Sequence, residues 1–350
     1  MNERNRVNLN GTLVGNDLPV YVIAEIGQNH NGDIAIAKKL IDMAARCGAN
    51  AVKFQKRDMS CELTKEAFEK PYDNPNSFGK TYGEHRLFLE FNEEQHKELK
   101  EYTLSAGITY FCTPCDIPSV ELLERIGCPF YKVASRDLSN VPLLEKLETI
   151  NKPILFSTGM ADYDDIDIAI KTLKANPEKI IIMHCTSEYP CKLENINLKA
   201  IPTLINKYGF LTGFSDHASG IITSAVAPIF GAVIIEKHIT LNRAMKGSDQ
   251  AGSLEESGLS KLINYIQAID IAQGNGEKVI NKIILPAKEK LSRSITSNIN
   301  IDKGTKLTED MITLKSPGTG IKWVDKNKLL GKIARQDISR DITLNQDMFV

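Results

Sequence analysis

No charge of one sign dominates this chain: 43 Lys and Arg stand against 44 Asp and Glu in 350 residues, a formal net charge of −1. That balance excludes a general attraction to nucleic acid or to an acidic membrane surface. No apolar run approaches the ~20 residues of a membrane span. The start, Met1-Asn2-Glu3-Arg4-Asn5-Arg6, has no apolar core of the kind a leader needs, so a cytoplasmic protein is expected. The seven cysteines are odd in number and scattered, which argues against a disulfide framework and for reduced thiols. Cys112 and Cys115 form one Cys-x-x-Cys without a second pair, so packing is preferred to zinc. A Gly-x-Gly-x-x-Gly turn is also missing after the first apolar run, which argues against an open dinucleotide-binding sheet.

What the chain does have is alternation. Apolar, β-branched-rich runs occur at 20–26, 51–54, 108–111, 129–133, 153–156, 179–183, 211–214 and 233–239, with amphipathic stretches such as 34–45, 94–105, 119–126, 164–173, 198–207 and 255–272 between them. Eight strand–helix units predict a (β/α)8 barrel. A barrel takes roughly 250 residues, so a second domain is expected. Gly274-Asn275-Gly276, Pro286 and a Lys/Glu run break the helical period. Beyond them come β-rich pieces at 294–299, 311–315 and 338–343, separated by Gly- and Pro-containing turns. The resulting division is a barrel at 1–280, a linker at 281–292 and a small β-rich domain at 293–350. A module of that size is near the lower limit for independent stability, so it is expected to dock on something larger.

Polar residues end nearly every strand-like run and should gather at one mouth of the barrel. His217, in Ser215-Asp216-His217, and His238, in Glu236-Lys237-His238, close successive runs and should lie side by side. Alone, each reads as a hydrogen-bonded histidine; together, with Asp216 and Glu236 adjacent, they point to a divalent-metal site. Lys53 and Lys132 converge there with Thr113, Ser135, Ser157, Ser187 and Ser215, an inventory suited to phosphate and carboxylate. The competing reading pairs both lysines with acids inside the barrel. Asn29 and His30 serve equally well as substrate contacts or as caps of the first strand–helix turn. The segment 57–93 is far longer than the usual 2–6 residues of a strand–helix loop, a length that reads as either a functional loop or a solvated, disordered one.

The order of the motifs carries a resemblance. Ala24-Glu25-Ile26-Gly27-Gln28-Asn29-His30, Lys53-Phe54-Gln55, Tyr131-Lys132-Val133-x-Ser135, Ser157-Thr158-Gly159-Met160, His184-Cys185-Thr186-Ser187-x-Tyr189-Pro190, Ser215-Asp216-His217 and Glu236-Lys237-His238-Ile239-Thr240 resemble the sialic acid synthase family. Residues 301–308, Ile-Asp-Lys-Gly-Thr-Lys-Leu-Thr, are similar to its antifreeze-like (SAF) domain. The resemblance implies condensation of phosphoenolpyruvate with N-acetylmannosamine or its 6-phosphate, with loss of phosphate by C–O cleavage. It implies Mn2+, or Mg2+ or Co2+, held by His217 and His238, with Glu25 beside them as a catalytic residue. Lys53, Thr113, Lys132, Ser135, Ser157, Ser187 and Ser215 would bind phosphoenolpyruvate. Glu25, Gln55, Lys80, Tyr189 and Asp249 would bind the sugar. A domain-swapped homodimer is also implied.

Related condensations giving legionaminic, pseudaminic or deaminated (KDN or KDN-9-phosphate) products share these motifs, and a catalytically inactive polysaccharide- or ice-binding protein is the alternative of another class. Two departures from the family pattern stand out. Ser316 occupies the place of a small-domain arginine that reaches the partner's sugar site, and Arg136-Asp137 replaces Gly-Glu. The long segment carries Lys70, Lys80, His85 and Arg86, charge suited to a second phosphate, and resembles synthases of animal type that use the 6-phosphate.

Overall fold

A computed structural model describes residues 5–350, which form two compact units, one ending at Gly274 and the other spanning Asn275–Val350. The first unit opens with a hairpin, β1 (Arg6–Leu9) and β2 (Thr12–Gly15), absent from the sequence reading. Its turn is Asn10-Gly11, both at positive φ (54° and 90°), the pairing that a tight hairpin matching strand twist requires. Val7, Leu9 and Val14 from the hairpin join the barrel's apolar core.

Eight parallel strands then close into a barrel: β3 (Tyr21–Gly27), β4 (Ala51–Lys56), β5 (Thr109–Pro114), β6 (Tyr131–Val133), β7 (Ile154–Ser157), β8 (Ile180–Cys185), β9 (Leu211–Asp216) and β10 (Ala232–His238). Several strands outrun their apolar stretches at the C-terminal end, by three residues at β5. The ladder there continues through polar positions such as Gln55↔Thr113, which hydrophobicity does not register. Along each strand alternate side chains enter the barrel. In β10 Glu236 and His238 point inward. Lys237 points outward and binds Asp216 at 3.0 Å.

The helices are α1 (Ile34–Cys47), α2 (Met59–Glu62), α3 (Lys65–Glu69), α4 (Tyr82–Leu89), α5 (Glu93–Ser105), α6 (Ile117–Arg125), α7 (Val141–Glu148), α8 (Tyr163–Thr172), α9 (Ala200–Tyr208), α10 (Ile222–Val226), α11 (Glu256–Gln273) and, in the second unit, α12 (Leu285–Leu291). Helix α1 shows why they form where they do. Asp33 caps its first turn by accepting from the Ala35 and Ile36 amides, Gly48 ends it at φ 87°, and Ala37, Leu40, Ile41 and Ala44 bury one face. Segment 57–93 is not plain loop: α2, α3 and α4 lie in it, each capped by a side chain (Asp58, Thr64, Thr81) but too short for a readable period.

The second unit pairs β11 (Ser294–Ser297) with β12 (Ile312–Lys315) around a core of Ile295, Ile301, Leu307, Ile312, Leu329, Ala334, Ile338, Leu344 and Phe349. The strand expected at 338–343 is reduced to isolated bridges, Ile301↔Ile338 and Thr296↔Thr343. Asp341 between them takes φ 69° and turns the chain. The stretch 281–292, read as linker, holds α12, with Pro286 in its first turn where no amide is required.

Candidate active site

The barrel register sets the site's centre. Glu25 pairs with Lys53 across β3 and β4, and Glu236 with Ser215 across β10 and β9. Lys53 Nζ lies 3.1 Å from Glu25 Oε2 and 3.5 Å from Glu236 Oε1, and donates to Thr113 Oγ1 at 3.2 Å. Lys132 Nζ lies 3.1 and 3.2 Å from the two Glu236 oxygens, and Ser215 Oγ donates to Glu236 at 2.9 Å. All four ionic groups are buried. Burial works to discharge them, yet the two lysines outweigh it at Glu236 and hold that carboxyl well below its usual range. Lys53, with two carboxylate partners, is driven up despite burial; at Lys132, with one, burial prevails and its pKa falls. The quartet is neutral overall. Both lysines are thus paired with acids and face the cavity at the same time.

That cavity is about 430 Å³ in volume, and Lys53, Thr113, Lys132, Ser135, Ser157, Ser187 and Ser215 all line it. Ser157 Oγ is buried without a hydrogen-bond partner, an orphan that a bound oxyanion would satisfy. Close packing leaves no freedom at two glycines beneath it. A Cβ on Gly27, which sits at φ 53° on a bulge of β3, would lie 3.1 Å from Glu25 Oε1 and 3.4 Å from His238. One on Gly159 would lie 2.5 Å from Ser187 Oγ.

His217 and His238 stand at the same mouth with ring centres 5.6 Å apart, and Tyr189 stacks on His217 at 4.0 Å. His217 Nδ1 is 2.9 Å from the Thr186 carbonyl, which can only accept, so the proton sits on Nδ1 and Nε2 keeps its lone pair. Burial, then the neighbouring His238, lowers the His217 pKa to about 4. His238 Nδ1 is buried without a hydrogen-bond partner and lies 3.9 Å from Asp249 Oδ2. Two imidazoles, each with a ring nitrogen free of protein hydrogen bonds, fit a divalent ion. Among the described residues no group of three or more His, Cys, Asp or Glu is arranged to hold a metal. A cation here would therefore have two imidazole donors and complete its shell with oxygens of water or substrate. Asp216 is not among them: its carboxylate serves Lys237 and the Thr223 and Ser224 hydroxyls, on the outer face of the barrel wall.

Of the candidate sugar contacts, Glu25, Gln55, Tyr189 and Asp249 line the cavity, and Gln55 Nε2 donates to Glu25 at 3.0 Å. Lys80 is exposed and does not line it. His85 is buried; its Nδ1 accepts from the Phe78 amide at 3.1 Å, and burial, then Arg86, lowers its pKa to about 4, so it offers an anion no charge. Asn29 and His30 resolve as structural: Asn29 Nδ2 binds the Ile239 carbonyl and Ser253, and His30 stacks on Phe91 at 4.1 Å while accepting from Gly32.

Three arginines also line the cavity: Arg86, which the sequence offered to a second phosphate, Arg136, noted only as a departure from the family pattern, and Arg57, which the sequence reading missed. Arg57 and Arg136 share Glu62 at 3.2 and 2.6 Å, tying α2 to the turn after β6. Glu236 was noticed only as a neighbour of His238, although spacing by two on one strand put both on the inner face.

Known proteins match the chain over nearly its whole length. The NeuB family model matches residues 40–278 and the SAF domain model residues 292–350. The chain is 36% identical over 340 residues to N-acetylneuraminate-9-phosphate synthase of Homo sapiens, covering 97% of this chain and 95% of the relative. It is 36% identical over 324 residues to N,N'-diacetyllegionaminic acid synthase of Campylobacter jejuni, covering 91% and 97%. Among solved structures, the N-acetylneuraminic acid synthetase of Leptospira borgpetersenii in complex with citrate superposes with a TM-score of 0.71 at 34% identity, over 81% of this chain and 95% of that one.

Proposed function

The chain belongs to the NeuB family, and on that footing we propose that it is a phosphoenolpyruvate-dependent synthase. It joins C3 of phosphoenolpyruvate to the aldehyde carbon of an N-acetylmannosamine-type aldose, water adds at C2, and phosphate leaves by C–O cleavage. The product is N-acetylneuraminate, or its 9-phosphate when the aldose carries a 6-phosphate. The observation that carries this reading is the meeting of the Glu25–Lys53–Glu236–Lys132 quartet with the His217–His238 pair in one cavity.

Lys53 and Lys132 suit the phosphate and carboxylate of phosphoenolpyruvate, with Thr113, Ser135, Ser157, Ser187 and Ser215 supplying hydroxyl donors. Glu25, fixed between Lys53 and Gln55, faces the reacting carbonyl and orients it. His217 and His238 would hold Mn2+, Mg2+ or Co2+, which when bound supplies Lewis acidity toward the aldehyde oxygen. Of the two sugar forms we favour the 6-phosphate, on the strength of the human and mouse relatives, both named N-acetylneuraminate-9-phosphate synthase.

The test is phosphate release from phosphoenolpyruvate with a panel of free and 6-phosphorylated aldoses, including N-acetylmannosamine, its 6-phosphate and a 2,4-diacetamido sugar. Highest kcat/KM is expected with N-acetylmannosamine 6-phosphate. Equal or better use of the free sugar overturns the phosphate preference, and no release with any aldose overturns the synthase reading.

Assembly as a domain-swapped homodimer fits the second unit, where Val279, Ile280, Ile283 and Leu291 are each at least half exposed. Aliphatic side chains in such a run call for a covering surface. No helix among the described residues is long and apolar enough to cross a membrane, and seven free thiols suit the reducing cytoplasm.

A further inference from the structure

Five cations line the cavity, and four of them are already engaged by carboxylates: Lys53 by Glu25 and Glu236, Lys132 by Glu236, Arg57 by Glu62 and Glu90, Arg136 by Glu62 and Asp137. Arg86 differs. Its Nε and one terminal nitrogen donate to Tyr82 Oη at 2.9 and 2.7 Å, its guanidinium lies 5.0 Å from the centre of the Tyr82 ring, and no carboxylate pairs with it among the described residues. Tyr82 thus holds the guanidinium in place while leaving its full charge and the rest of its five N–H donors uncommitted.

An anion entering this cavity must compete with a resident carboxylate at every cation except Arg86. A planar fork that is fixed and unpaired also matches the bidentate demand of a phosphate. We propose that Arg86, on α4 of the long segment after β4, is the specificity-determining residue that grips the phosphate of the phosphorylated aldose. Exposed Lys80 is not that residue. The inference rests on the 6-phosphate reading above, and it assigns that reading to one side chain. Two phosphates reach the site, one on each substrate, so the experiment must tell them apart.

Full-length wild type, Arg86→Ala, Arg86→Lys and Lys80→Ala are compared in steady-state assays, varying phosphoenolpyruvate, N-acetylmannosamine and its 6-phosphate separately. For Arg86→Ala the KM for the phosphorylated aldose should rise on the order of 10- to 100-fold, the range for losing hydrogen bonds to a charged group. The KM for phosphoenolpyruvate should move far less. Arg86→Lys, which keeps the charge and loses the fork, should fall between, and Lys80→Ala should stay near wild type. Isothermal titration of the aldose 6-phosphate gives the same ranking without turnover, and a near-normal KM for phosphoenolpyruvate shows that each variant is folded. A larger rise for phosphoenolpyruvate, a preference unchanged in Arg86→Ala, or a preference lost instead in Lys80→Ala overturns the assignment. A wild type indifferent to the 6-phosphate overturns the underlying reading as well, and the wild-type arm alone reveals that case.

Discussion

The two units of this chain solve opposite electrostatic problems. Residues 1–274 carry 29 Lys and Arg against 35 Asp and Glu, while residues 275–350 carry 14 against 9. The acidic unit nevertheless encloses a cavity lined by five cations, and the basic unit keeps its pairs, such as Lys315–Asp341 and Lys328–Asp325, at the surface. Net charge therefore says little about where charge does chemistry. Ions inside a barrel are held by geometry and cost several kcal/mol each to desolvate, whereas surface pairs are screened and contribute little. The placement of histidine follows the same division: all six lie in the first unit and none in the second.

The largest expected effect tests whether chemistry is confined to the barrel. His217→Ala and His238→Ala should each lower kcat/KM by about 10²-fold or more, since a bound ion is worth several kcal/mol in the transition state. Circular dichroism should show both variants folded. Near-normal turnover of either after chelation and Mn2+ readdition would remove the metal assignment.

Next in size is the cost of breaking a buried pair against that of a surface pair. Glu236→Ala strands Lys132 beside Lys53 and should destabilise the barrel by roughly 3–5 kcal/mol in urea titration. Lys315→Ala removes an exposed partner and should leave the Tm of the second unit unchanged. Equal losses would erase the contrast between the units.

Acid sensitivity should follow the histidines. Burial lowers His30 and His96 to about 3, from an ordinary value of 6.5. Each stays neutral in the folded barrel and takes up a proton on unfolding below pH 6.5. Their stabilising contribution is therefore complete above pH 6.5 and declines as pH falls toward 3, by about 1.4 kcal/mol per pH unit for each. The single tryptophan, Trp323, lies in the second unit, so its fluorescence reports that unit alone. Between pH 6.5 and 5 the barrel should lose resistance to urea by circular dichroism while the Trp323 transition holds. Parallel loss of both signals breaks the comparison.

The smallest effect concerns assembly. Ile283→Asp with Val279→Asp places charge on the exposed aliphatic run and should weaken a homodimer at least about tenfold by sedimentation, with little change in barrel stability. A species that is monomeric before mutation would refute the dimer.

Much of the barrel was legible because it depends on local pattern. Runs rich in Val and Ile bounded by turn residues, separated by amphipathic stretches, permit few other architectures. The hairpin at Asn10-Gly11 was legible too, through a two-residue turn signal that was passed over. Helices α2, α3 and α4 were not, because four to eight residues are too few to display a helical period. In the site, strand-end residues such as Lys53, Ser157, His217 and His238 could be collected from the parallel-barrel rule, which brings every strand's C-terminal end to one mouth.

The sequence by itself determined the eight-unit alternation, the two-part chain and the identity of the polar groups at the strand ends, because each is a property of neighbours along the chain. Only the tertiary structure decided which charge answers which. Lys53 and Glu236 are 183 positions apart yet 3.5 Å apart in space, while Asp216 and His217 are adjacent in sequence and face different neighbours. Closure of the barrel converts strand order into proximity, and the two-residue alternation of a strand sends adjacent side chains to opposite faces. Outside the strands, the capped turns of the segment after β4 leave Arg86 without a carboxylate among the described residues and Lys80 outside the cavity, six residues apart.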